Sequence, residues 1–245
     1  MIRFLLSLVI LLSALPAAAQ PAQRHMVVAG HPLAVEAGLG VLRDGGSALD
    51  AAVAVQAVLT LVEPQSSGIG GGAFIMFRRA ADGGMEAWDG REAAPAAATP
   101  ALFLRDGRPM PFLEAMASGR AVGVPGALPV LEAAHRAHGK LPWARLMEPA
   151  IRLAEGGFPV SPRLAREIAA DTLLLRRDSG AGAYFFTPDG VPLPVGHRLR
   201  NPALAETLRA VARDGAAALQ QGPIAEDIIA AIRNHPTNPG VMALE

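Results

Sequence analysis

Two hydrophobic rhythms divide the chain. From Pro32 to Arg43 apolar residues recur at helical spacing; Pro32 suits a first turn, and Asp44-Gly45-Gly46 supplies the stop. Ser47, with Asp50 three residues on, predicts a capped start for a second helix from about Ala48 to Val62. That helix is apolar on nearly every face, the pattern of a buried element, and Glu63-Pro64 ends it. Residues 73–79 and 85–89 are short apolar runs flanking Ala81-Asp82-Gly83-Gly84, a hairpin signal. Residues 93–100 read as an extended alanine-proline segment, and Asp106-Gly107 marks a turn. From Pro125-Gly126 onward the helical rhythm returns, over 127–138, 142–155, 162–177, 202–213 and 224–233, with a turn-rich stretch at 180–199. No repeat or low-complexity linker separates these parts. The order helices, strands, helices predicts one α+β domain, or most of one.

Between the buried helix and the first strand lies Glu63-Pro64-Gln65-Ser66-Ser67-Gly68-Ile69-Gly70-Gly71-Gly72. Four glycines in five positions are costly in chain entropy and mark a place where a Cβ is not tolerated. Asp89-Gly90-Arg91-Glu92 closes the second strand, so a glycine turn and an arginine fall at neighbouring strand ends. That pairing points to a small-anion site. It does not point to a nucleotide, because a phosphate loop follows a strand and opens a helix, and here the order is reversed. Nor does a Lys-Ser or Lys-Thr follow; the one lysine is Lys140. A glycine turn serving close packing alone is the other reading. Arg91 likewise has two: a planar fork for a carboxylate, or a structural ion pair with Glu92 or Asp89.

The first nineteen residues change the picture of where the chain works. Met1-Ile2-Arg3, an apolar stretch at residues 4–15 too short to span a bilayer, and Ala17-Ala18-Ala19 together read as a secretory signal peptide over residues 1–19, cut before Gln20. The mature protein is then expected in the periplasm or secreted, without a membrane anchor. Acidic and basic residues balance at 22 each with no basic block, which argues against nucleic acid as a partner. There are no cysteines, so disulfides, thiol catalysis and cysteine metal sites are excluded. Of the six histidines only His135 and His138 lie close, and they read as a solvated helix end before Gly139; no metal site and no cofactor are expected.

The residues also resemble a known family. Gly30-His31-Pro32-Leu33-Ala34, Gly45 to Ala54, Glu63 to Gly72, Asp89 to Pro95, Val122 to Gly126, His138 to Trp143 and Glu148 to Val160 are similar, in order, to the amino-terminal half of γ-glutamyltranspeptidases. The resemblance implies part of an N-terminal-nucleophile hydrolase fold, a four-layer αββα sandwich incomplete in this chain. It implies an exported precursor that cuts itself before an internal threonine into a large and a small subunit. The freed threonine would attack the γ-glutamyl amide of glutathione or another γ-glutamyl compound, then pass the glutamyl group to water or to an amino-acid or peptide acceptor. The family's carboxylate-binding arginine falls on Arg91, with Glu92 and Asp89 orienting it; Ser66 and Ser67 read either as lining the pocket or, more simply, as forming the turn. None of Thr60, Thr99, Thr172, Thr187, Thr207 and Thr237 has the family's Thr-Thr-His setting, so no catalytic residue is expected in this chain. Residues 20–245 then read as the amino-terminal portion of a large subunit, inactive alone, and residues 244–245 as the start of another helix. A cephalosporin or glutaryl acylase of the same family is the alternative, since a glutaryl carboxylate suits the same arginine. A truncated, non-catalytic binding protein is the third reading.

Overall fold

The computed structural model describes residues 24–244; the signal-peptide reading of 1–19 lies outside the described residues. Helix α1 (Pro32–Arg43) is capped by His31, whose Nδ1 accepts the Leu33 N–H at 3.2 Å. Helix α2 (Ala48–Val62) carries the capping box that the sequence predicts: Ser47 Oγ accepts from Asp50 N at 3.1 Å and Asp50 Oδ2 accepts from Ser47 N at 2.7 Å. As its composition requires, α2 forms the centre of the core, with Leu49, Val53, Ala54, Ala57, Val58, Leu61 and Val62 buried. Each such leucine or valine contributes about 1.5–3 kcal/mol by leaving water.

Strands β1 (Ala73–Arg78) and β2 (Met85–Gly90) form an antiparallel hairpin that pairs Ala73 with Gly90 and Arg78 with Met85. Alternation splits its faces. Ile75, Phe77 and Trp88 point inward, whereas Phe74 and Met76 remain 67% and 68% exposed on the other face. A small hairpin, β3 (Leu104–Arg105) and β4 (Arg108–Pro109), precedes the short helix α3 (Phe112–Met116). Helix α4 (Ala127–His138) covers the inner face of the β1–β2 hairpin. Helix α5 (Trp143–Gly156) packs on α2, and β5 (Phe158–Pro159) follows it. Helices α6 (Pro162–Ala170), α7 (Thr172–Leu175) and α8 (Ser179–Phe185) come next. Strand β6 (Arg198–Leu199) pairs with β5, and α9 (Pro202–Asp214) lies along α5, where Trp143 Nε1 donates to Val211 O at 2.9 Å. A 3-10 turn (Gly215–Leu219) and α10 (Gly222–Arg233) complete the order.

The class is α+β, with strands confined to two-stranded pieces among the described residues. Three local expectations are corrected. The helix over 162–177 is broken at Asp171 (φ −97, ψ 18), where the Thr172 hydroxyl turns back onto the carbonyls of Ile168 and Ala169. The turn-rich stretch from 180 contains most of α8, started by the Asp178 side chain capping Ala181 N at 2.7 Å. Residues 241–244 are not helical.

Candidate functional site

The chain leaves β2 at Gly90 and enters Arg91-Glu92 at a corner built by three segments: the end of β2, the end of the glycine run and the stretch leading into α4. Beyond it, Ala93 and Val124 exchange backbone hydrogen bonds at 3.3 and 2.8 Å. The first two N–H groups of α4, Gly126 and Ala127, both donate to Gly71 O, at 3.0 and 2.9 Å. Helix starts leave such donors without partners, and here the glycine run supplies one. The same bonds occupy the helix end that a phosphate would need, a further reason against a nucleotide site.

The glycine run is tightest at its end. A Cβ on Gly72 would lie 2.5 Å from Glu92 Oε2 and 3.0 Å from Arg91 Cα, while one on Gly70 would meet nothing within 4 Å. Gly126 is pressed against the carbonyls of Gly90 and Arg91. Arg91-Glu92 is therefore in close contact with two glycine backbones, and a side chain at either would displace it. In Gly72→Ala, the Glu92 carboxylate and the Arg91 backbone have to shift by several tenths of an ångström. A protein of near-parental stability with weakened carboxylate binding is the expected result, read by thermal unfolding and by donor KM in the full-length protein.

The Arg91 side chain is 64% exposed, and its guanidinium makes one ion contact among the described residues, 3.3 Å from Nη1 to Glu92 Oε2. That contact lacks hydrogen-bond geometry, and the buried Oε2 accepts no hydrogen bond. Asp89 acts differently: its Oδ1 accepts the Arg91 backbone N–H at 2.9 Å, which fixes the turn and leaves the guanidinium alone. An apolar groove of about 450 Å³, lined by Ala93, Pro95, Val124, Leu219, Ile228 and Met242, opens two residues past Arg91.

The serines before the glycines are engaged in holding the turn. Ser66 Oγ accepts from Arg163 Nη2 at 2.9 Å, and the Ser67 hydroxyl donates to Gln56 Oε1 at 3.3 Å. Arg163 also pairs with the buried Glu63 at 3.0 Å, whose Oε2 accepts from Gln65 Nε2 at 2.7 Å. Burial pushes the nearby His31 imidazole below its ordinary pKa, and the Glu63 charge opposes that shift in part. Neither Gln56 nor Arg163 is marked as a site residue by its sequence setting, because Arg163 finds a partner in Ser66, 97 positions away, and Gln56 finds its partners beyond the end of its own helix. Only the lone amide on a largely apolar α2 could have signalled Gln56.

His135 and His138 do not form a solvated helix end. His135 Nε2 bonds Leu141 O at 2.9 Å and lies 3.4 Å from the buried Asp50 carboxylate, whereas His138 Nε2 bonds Glu86 Oε2 at 2.7 Å and its ring stacks on Phe77. Each is consumed in packing α4 against a different neighbour. Among the described residues no three His, Asp or Glu side chains gather as a metal site.

The family model described as Gamma-glutamyltranspeptidase matches residues 34–245. The chain belongs to the γ-glutamyltranspeptidase family. It is 42% identical over 204 residues to the glutathione hydrolase proenzyme of Bacillus subtilis (strain 168), covering 83% of this chain and 34% of that protein. It is 40% identical over 210 residues to the acylase ACY 1 proenzyme of Pseudomonas sp. (strain V22), covering 82% of this chain and 37% of that protein. Among solved structures, Helicobacter pylori γ-glutamyltranspeptidase superposes with a TM-score of 0.86 at 33% identity, over 92% of this chain and 63% of that one. The chain thus spans about a third of the length of the curated relatives it matches. Its α+β architecture is an incomplete part of the N-terminal-nucleophile hydrolase sandwich of this family.

Proposed function

We propose that this chain is the amino-terminal portion, residues 20–245, of the large subunit of an exported γ-glutamyltransferase and glutathione hydrolase. Arg91 carries the reading. It presents an exposed planar fork at a backbone corner closely packed by Gly72 and Gly126, and such a fork holds a carboxylate by two parallel hydrogen bonds. In the proposed reaction that carboxylate is the α-carboxylate of glutathione or another γ-glutamyl compound. Holding it aligns the γ-amide with a threonine contributed from outside this chain. The threonine oxygen bonds to the γ-carbonyl carbon, the C–N bond breaks, and the amine leaves with a proton. Water, or an acceptor amino acid or peptide, then takes the glutamyl group from the resulting ester.

The proenzyme names of the relatives support processing of one precursor into two subunits. The exposed Phe74, Met76 and Met85 on the outer face of the β1–β2 hairpin support the small subunit as the layer that covers them. No helix among the described residues is long and apolar enough to cross a membrane. For export, mass spectrometry of the mature amino terminus is expected to read Gln20; retention of Met1 in a membrane fraction would contradict it.

The activity is tested by expressing the full precursor and measuring glutamate released from glutathione. Release is expected once self-cleavage has occurred, and none from the 245-residue chain alone. A second reading is favoured by the 40% identity to an acylase: the same fork would hold the terminal carboxylate of a glutaryl amide. A matured protein that cleaves glutaryl amides and leaves glutathione intact would replace the first reading with the second.

A further inference from the structure

We propose that Gln56 is a positioning residue for the Arg91 carboxylate site, a role that rests on the reading of Arg91 given above. Helix α2 carries few polar side chains along its buried length. Asp50 caps its start, and the Thr60 hydroxyl is spent on its own helix, at 3.0 Å from Gln56 O. Gln56 alone among them reaches the glycine run. Its Nε2 donates to Gly68 O at 2.9 Å, and its Oε1 accepts the Ser67 hydroxyl at 3.3 Å. Both ends of the amide are used, so one side chain fixes two consecutive residues of the loop.

The route from there to Arg91 is short. Gly68, Gly70 and Gly71 have no side chains to wedge the loop in place, and added Cβ atoms on them would find either open space or contacts no closer than 3.6 Å. The path of such a segment is set by its anchors. Within residues 67–71 they include the Gln56 amide at 67–68, the buried Ile69, and Gly71 O on the start of α4, while the Ser66 and Ser67 N–H groups are held by Glu63 O and the Ser66 hydroxyl by Arg163. The next residue, Gly72, forms the wall against which Glu92 and the Arg91 backbone rest. Losing the Gln56 anchor frees the Gly68 carbonyl and the Ser67 hydroxyl, and so loosens the glycine stretch whose far end sets the depth of the corner, while Glu63 O still holds the Ser66 and Ser67 N–H groups. Gln56 touches neither Arg91 nor a substrate, so its effect is on where the guanidinium sits.

The test uses the full precursor, matured by self-cleavage, with Gln56→Ala, Gln56→Glu and, in parallel, Arg91→Lys. Glutamate at 56 has glutamine's size and keeps the acceptor for Ser67, but it sets a carboxylate oxygen against Gly68 O. Two donors are compared: a γ-glutamyl anilide, and the γ-aminobutyryl anilide that lacks only the α-carboxylate. Both Gln56 variants are expected to raise KM for the γ-glutamyl anilide roughly fivefold to tenfold, the scale of one neutral hydrogen bond, with kcat unchanged. For the γ-aminobutyryl anilide kcat/KM is expected to stay within about twofold of the parent. An equal loss on both donors, or failure of both variants to self-cleave, would make Gln56 a residue of the fold and overturn the inference. Parental kinetics in the Gln56 variants beside a lost carboxylate preference in Arg91→Lys would overturn it while leaving the Arg91 reading intact. Parental kinetics in all three would remove both.

Discussion

Asp50→Ala is expected to lower the unfolding free energy by about 3–5 kcal/mol, among the largest single-residue effects this chain allows. Asp50 is fully buried and holds three backbone donors: Ser47 N at 2.7 Å, Lys140 N at 2.9 Å and Leu141 N at 3.2 Å. It joins the start of α2 to the loop after α4, ninety positions away in sequence, and the His135 ring closes the fourth side at 3.4 Å. An alanine leaves all of these donors in a pocket with few replacements, at about 1–3 kcal/mol for each one that water cannot reach. Asparagine keeps one oxygen but turns an NH₂ toward N–H groups, so it is expected to recover less than half of the loss. Urea unfolding of the matched proteins measures it. A change below about 1 kcal/mol would mean that the loop at 139–141 reorganises freely, and that α2 does not depend on it.

Arg91→Lys is expected to cost one to two factors of ten in kcat/KM for a γ-glutamyl donor and almost nothing in stability. The two magnitudes come from different interactions. In this chain the guanidinium is mostly exposed, and its ion contact with Glu92 is a surface pair, worth about 0–1 kcal/mol. Bound to a donor, the fork makes charge-assisted hydrogen bonds worth about 1.5–3 kcal/mol, and a lysine keeps the charge without the second prong. Self-cleavage is expected to survive, because the precursor's own peptide bond presents no such carboxylate. Both subunits should therefore appear on a gel at parental yield.

Much of this was legible in the sequence because the deciding interactions are local. Ser47 and Asp50 make a capping box by virtue of spacing alone, and Asp82-Gly83-Gly84 turns the hairpin where its residue types demand. The corner around Arg91 was legible as a place, through Gly72 and Gly90, because close backbone approach needs glycine wherever the partner comes from. What escaped turns on which of several available partners a side chain takes. His135 and His138 look alike on a helix end, yet one faces Asp50 and the other Glu86, a choice made by how α4 crosses two other elements. Gln56 and Arg163 become loop anchors only once α2 and α6 stand on either side of residues 63–72. The break at Asp171 turns on a hydroxyl choosing its own helix over solvent, which spacing does not reveal.

The most direct measurement is the carboxylate preference of the matured full-length protein: the ratio of kcat/KM for a γ-glutamyl anilide to that for the γ-aminobutyryl anilide, in the parent and in Arg91→Lys. If Arg91 binds the donor's α-carboxylate, the ratio is expected to fall by roughly tenfold to a hundredfold in the variant, nearly all of it on the γ-glutamyl donor. An unchanged ratio, with the subunits formed and the fold intact, would return Arg91 to a structural partner of Glu92 and contradict the assignment of this corner as the donor site.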